Sequence, residues 1–201
     1  MSSAKPEIAG IILAAGSSKR MGSVKPLLPW GDGLLLERVI KNASRSDLSS
    51  LIVVLGYKAE IILERIDFHN STVIINPDYR KGHSSSLQAG LNAVSADTDG
   101  ALFLLGDQPF VTVETINRLI LTFSVRPSSL VIPTFCGKKG NPVLVHRSIF
   151  SMLQKITGDT GPRILFDRLR EQIQEVDVSD PGIHIDMDTM EEYQRLVRLV
   201  R

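Results

Sequence analysis

Cysteine is almost missing from this chain of 201 residues: Cys136 stands alone, which excludes an internal disulfide and a multi-cysteine metal site. Long apolar runs are missing too. No stretch approaches the length of a membrane span, and the opening "MSSAKPEIAGIILAAG" lacks the charged segment, long apolar run and small-residue cleavage site of a secretory leader. Neither sign of charge is in excess, because 23 Lys+Arg against 22 Asp+Glu leave a formal net charge of +1. No global field draws the protein to nucleic acid or an anionic membrane, so any cation cluster is a local device. Internal repeats, low-complexity segments and heptads are absent as well. These absences leave a cytoplasmic globular protein, without a nucleic-acid or membrane partner, as the expectation.

What is present is an alternation of short apolar runs and amphipathic stretches. Residues 8–15, 51–56, the segment "STVIINP" and the segment "GALFLLGDQP" read as strands; residues 34–46, 59–66, 85–94 and 113–123 have apolar residues at helical spacing. Strands buried on both faces, each followed by a helix, predict a three-layer α/β/α, Rossmann-like domain with a mostly parallel sheet. After Pro127, "SLVIPTFCGKKGNPVLV" reads as two strands around a Gly-rich turn, a small antiparallel excursion. Two short helices, "IQEVDVSD" and a closing helix over 189–199 complete the chain. One domain over 1–201 is the simplest account, with a nucleotide-binding part over about 8–125 and an acceptor-binding part over about 126–201.

Three features carry chemistry. The first, "LAAGSSKRMGSVK", begins as a strand and then holds Gly16, Gly22, Lys19, Arg20 and Lys25. Ligands of a parallel α/β sheet bind at the carboxyl ends of its strands, and a glycine loop there offers backbone N–H groups to phosphate. Its spacing is neither Walker A nor Gly-x-Gly-x-x-Gly, which disfavours a P-loop ATPase and a Rossmann dehydrogenase. The second is Asp107 in "LLGDQP", delivered by another strand to the same sheet edge. A carboxylate beside a phosphate cradle suits Mg²⁺, which takes one or two carboxylates together with phosphate oxygens and water. The third is "HIDMDTMEEY", where Asp186 and Asp188 point to opposite sides if extended. One of them completes a metal site, and an N-cap Asp or Thr, the latter being Thr189, before "MEEY" gives at least one of these residues a structural reading. His69, His83, His146 and His184 have no metal-ligand spacing, and Trp30 reads as a packing residue or a lid over the nucleotide.

The loop "LAAGSSKRMGSVK", the strand end "GDQP", the turn "GNP" (140–142), "GDTGPR" (158–163) and the terminal "DMDT" together resemble the molybdenum cofactor cytidylyltransferase family, within the MobA-like nucleotidyltransferases. The resemblance runs over about residues 8–196. It implies transfer of CMP from CTP to the terminal phosphate of molybdopterin, with Mg²⁺ as cofactor and a molybdenum hydroxylase such as xanthine dehydrogenase as recipient. By the same resemblance Leu13, Ala14, Ala15 and Gly16 hold base and ribose, and Arg20 and Lys25 hold the triphosphate. Asp107 and Asp188 bind the metal, and Ser86 lies near the nucleotide. Asn141, Asp159 and Arg163 face the acceptor. "LAAG" rather than "LAGG" leans toward cytosine. Many members carry His at Asn141 and Ala at Pro162, both in segments expected near the pterin. Two alternatives stay open: a different phosphorylated acceptor, such as a sugar phosphate, and a cofactor carrier without turnover.

Overall fold

The computed structural model describes residues 5–18 and 21–200. Ten strands and six helices alternate along them. They are β1 (Ile8–Ala14), β2 (Pro29–Trp30), β3 (Gly33–Leu34), α1 (Leu35–Ser44), β4 (Ser50–Leu55), α2 (Ala59–Arg65), β5 (Thr72–Ile75), α3 (His83–Asn92), β6 (Gly100–Leu105), α4 (Val113–Val125), β7 (Leu130–Phe135), β8 (Lys138–Lys139), β9 (Val143–His146), α5 (Phe150–Leu153), β10 (Ile173–Asp177) and α6 (Met190–Val197). Among the described residues no helix is long and apolar enough to cross a membrane.

The main sheet runs β10-β7-β9-β6-β1-β4-β5, with β8 paired to β7. β1 lies between β4 and β6, parallel to both, and β5 extends the parallel block at one edge. All seven residues of β1 are buried, which is why this strand is continuously apolar rather than alternating. Its side chains nevertheless divide by face: Ile8 and Ile12 join one apolar cluster with Val39, Ile62 and Ile116 of α1, α2 and α4, while Ile11 and Leu13 join another with Leu87 of α3 and Leu153 of α5. That division produces the three layers foreseen from the sequence. The antiparallel excursion is part of the sheet itself: β9 runs between β6 and β7, antiparallel to each. β10 then returns parallel to β7.

A third apolar cluster fastens the chain's last helix. Leu196 and Val197 of α6 pack with Met21, Leu28, Trp30 and Met187, and Trp30 meets Phe110 edge-on at a ring separation of 5.3 Å. Trp30 is 4% exposed, so it is a packing residue and not a lid. Helix starts follow local chemistry. Thr112 accepts from Thr115 N–H at the head of α4, and the neighbouring buried Asp180 accepts from Thr112 N–H, Thr112 Oγ1 and Thr115 Oγ1.

Candidate active site

The carboxyl ends of β1, β4, β5 and β6 open into one cavity of about 890 Å³, whose lining also takes in Gly82, His83, Asp159, Asp186 and Asp188. Two glycines let the loops above these strands touch. A Cβ on Gly106 would lie 2.8 Å from that of Ala14, and one on Gly56 would lie 2.6 Å from that of Tyr79 and 2.9 Å from that of Ala15. Close backbone approach at these two positions therefore requires glycine. It draws residues 13–18, Tyr57, Tyr79 and Asp107 around a single space.

Lys25 is the centre of the arrangement. It begins a short 3-10 turn, Lys25–Leu27, with Pro26 at the position where a missing N–H costs nothing. Its ammonium donates to Asp107 Oδ2 at 2.8 Å and to Asp188 Oδ1 at 3.3 Å, and only 12% of its side chain remains exposed. Asp107 follows the end of β6. Asp188 is oriented by a capping box at α6: Glu192 Oε2 accepts from the N–H groups of Asp188 and Thr189, and Thr189 Oγ1 accepts from Glu192 N–H. Those two N–H bonds, that of Asp188 first, hold the Glu192 carboxyl below its ordinary value.

Asp186 faces the same cavity. Of the two N-caps the sequence allows before "MEEY", Asp or Thr, the structure uses Thr189, and Asp186 and Asp188 line the same cavity despite their alternation. The Gln108 amide, buried behind Asp107, donates to Asp186 Oδ1 and to the Ile183 carbonyl. Partial removal from water pushes the Asp186 carboxyl up, the Asp107 charge adds to this, and the Gln108 hydrogen bond opposes it.

The far wall is built on the head of α3. Ser84 donates its N–H and its hydroxyl to the Gly158 carbonyl, and His83 N–H donates to Asp159 Oδ1 at 3.3 Å. Burial pushes the His83 imidazole below its ordinary value, against the raising effects of Asp159 and Asp107, so it stays neutral where a free histidine gains a proton. Ser86 also lines the cavity; it lies inside α3 and accepts from the Asn76 amide, so Gly82, not Ser86, caps the helix.

Of the residues singled out in the sequence, Leu13, Ala14, Ala15, Gly16, Lys25, Ser86, Asp107, Asp159 and Asp188 line this one cavity. Arg20 lies outside the described residues. Arg163 is not part of the lining, although its charge reaches Asp186, and Asn141 stands off the cavity, donating its N–H to the Ile183 carbonyl behind the Asp186 segment. Sequence reasoning passed over Tyr57, Tyr79, Arg80 and Gln108. The first three follow the ends of β4 and β5, so the strand-end rule applied to Asp107 would have found them.

Among the described residues no group of three or more His, Cys, Asp or Glu side chains is drawn together as a metal cage. Two carboxylates do converge on one point, now taken by the Lys25 ammonium. Hard oxygen donors in that number fit Mg²⁺ arriving with a phosphate ligand, not a dedicated protein cage.

A mostly parallel sheet whose strand ends carry a glycine loop, a lysine and two carboxylates around one cavity defines an α/β protein with its ligand site at the carboxyl edge of the sheet. The chain belongs to the MobA-like NTP transferase domain family, whose model matches residues 10–174. It is thus a nucleotidyltransferase by family. It is 32% identical over 184 residues to the molybdenum cofactor cytidylyltransferase of Escherichia coli (strain K12), covering 91% of this chain and 92% of that one. It is 28% identical over 200 residues to the nicotine blue oxidoreductase of Paenarthrobacter nicotinovorans, covering 96% and 97%. Its fold matches that of Rv0371c from Mycobacterium tuberculosis, crystallised in complex with manganese, with a TM-score of 0.82, 28% identity and coverage of 96% and 98%.

Proposed function

We propose that this protein transfers CMP from CTP to the terminal phosphate of molybdopterin and releases pyrophosphate. The observation that carries the reading is the Lys25 ammonium suspended between Asp107 and Asp188 at the mouth of the glycine loop. Family membership supplies the class of reaction, and the similarity to the Escherichia coli cytidylyltransferase supports the choice of donor and acceptor.

An oxygen of the acceptor phosphate attacks the α-phosphorus of the nucleotide, a new P–O bond forms, and the bond to the bridging oxygen breaks as pyrophosphate leaves. The acceptor phosphate is already ionised near neutral pH, so no protein base removes a proton. Positioning and charge neutralisation provide the rate. Backbone at 14–16 holds the nucleoside, and Lys25, released from its carboxylates, stabilises the charge that grows on the departing pyrophosphate. Asp107 and Asp188 would hold Mg²⁺, which supplies Lewis-acid neutralisation of the reacting phosphates. Asp159 and the α3 head form the wall nearest the acceptor.

The test is pyrophosphate release by the pure protein with Mg²⁺ and molybdopterin, with CTP, GTP, ATP and UTP offered in turn. Release that needs both CTP and the pterin is expected. Pterin-dependent release with another nucleotide overturns the choice of donor, and release that ignores the pterin moves the acceptor to a different phosphorylated compound.

A further inference from the structure

We propose that Tyr57 and Tyr79 form a nucleobase platform in the cavity: a pair of π-faces that holds a base by stacking and leaves the choice among bases to the backbone at 14–16. The proposal rests on the nucleotide reading of the cavity and adds to it the surface that takes the base.

Aromatic residues are scarce here, at 5% of the chain, with three tyrosines in all. Their situations differ. Tyr193 packs into the cluster around Trp30 and donates its hydroxyl to the Pro29 carbonyl, as a structural tyrosine does. Tyr57 and Tyr79 join none of the three apolar clusters, and their hydroxyls make no hydrogen bond among the described residues. Both are half-buried and both line the cavity. Neither core packing nor a hydrogen bond accounts for them.

Their placement is fixed. Tyr57 N–H donates to the Ala15 carbonyl at 3.2 Å, and Gly56 leaves no room for a side chain between Ala15 and Tyr79. Tyr57 is thereby tied by its backbone to the loop after β1, and its ring lies with its centroid 6.3 Å from that of Tyr79 and the planes inclined at 57°. The inclined pair adds aromatic surface to a cavity lining that also includes Leu13, Ala14 and Ala15. Lys58 stands 5.5 Å from the Tyr57 centroid and Arg80 5.6 Å from that of Tyr79. Each ring thus carries its own cation and offers its remaining surface to a flat ligand. Stacking suits every base because every base has a π-face, and such a platform adds affinity without selectivity.

The experiment is calorimetric titration of the full-length protein, with Mg²⁺, against CTP, GTP and inorganic tripolyphosphate. Tyr57→Ala and Tyr79→Ala are each expected to weaken CTP and GTP alike by about tenfold, with tripolyphosphate held within about twofold. Tyr57→Phe and Tyr79→Phe are expected to bind like the parent. Unchanged nucleotide affinity in the alanine variants overturns the platform, as does an equal loss for tripolyphosphate, a loss confined to one nucleotide, or a loss in the phenylalanine variants. A parent that binds nucleotides as expected, loses them in the alanine variants and yet forms no product with pterin overturns the proposed reaction and upholds the platform. A parent that binds no nucleotide overturns both.

Discussion

Lys25 is tied to carboxylates that lie 82 and 163 residues further along the chain, in a site where little of its own side chain meets water. An ammonium is a compact, mobile point charge with three donors, unlike the rigid fork of arginine. It bridges the two carboxylates it contacts, and its three donors suit a phosphate oxygen equally well. Asp107 positions Lys25, and under the proposed function it would also anchor a hard cation. Asp107→Asn keeps the shape of the side chain and removes its charge. Turnover should fall by about two to three orders of magnitude, the scale of losing one preorganised electrostatic contact in a water-poor site. Steady-state pyrophosphate release checks this, with thermal unfolding as control for the fold; turnover within a few-fold of the parent removes Asp107 from the reaction.

The strands β1, β4 and β6 each bring a loop to one edge, whereas Asp188 comes from the head of α6. Its place depends on the Thr189–Glu192 capping box. Thr189→Ala should cost about 1 kcal/mol of stability, the usual worth of an N-cap, and should also lower turnover several-fold by loosening the backbone at Asp188. Thr112→Ala, at the head of α4 and outside the cavity lining, should cost at least as much stability and leave turnover unchanged. Urea unfolding and rate measurements on the two variants separate the effects; equal loss of turnover in both shows that α6 acts only through global stability. How much of this was legible follows from the same elements. β1 is apolar throughout because both its faces are covered, so its burial and the arrival of Asp107 beside residues 14–16 could be read from single runs of sequence. The insertion of β9 between β6 and β7 could not, because periodicity reports a face and not a neighbour. Tyr57 and Tyr79 stayed hidden for a related reason. The ends of β4 and β5 put both within reach of the strand-end rule, but no single run shows the packing at Gly56 and the Tyr57–Ala15 backbone bond that join those ends to the loop after β1.

The molecule as a whole is nearly neutral, but its cavity is not. Among the described lining residues, Lys25 and Arg80 face Asp107, Asp159, Asp186 and Asp188, so two cations against four carboxylates leave a local charge of −2 when all are ionised. Burial first, and then the charges of Asp107 and Asp188, push the Asp186 carboxyl up, so that crowding adds to an effect that removal from water begins. A nucleotide triphosphate entering such a space adds further negative charge, and a low-dielectric cavity strengthens the repulsion. Under the proposed function a divalent cation entering with the nucleotide offsets that charge, held by the two carboxylates that contact Lys25. Removal of Mg²⁺ by a chelator should therefore weaken CTP binding more than tenfold, by about 1.4 kcal/mol or more. Asp186→Asn, which removes one negative charge while leaving Asp107 and Asp188 in place, should recover part of that lost affinity in the chelator and change binding with Mg²⁺ much less. Paired titrations of parent and variant, with and without the ion, check both statements. Equal CTP affinity in the two conditions shows that Arg80, Lys25 and the loop cations alone balance the triphosphate, and it would remove the metal from the binding step.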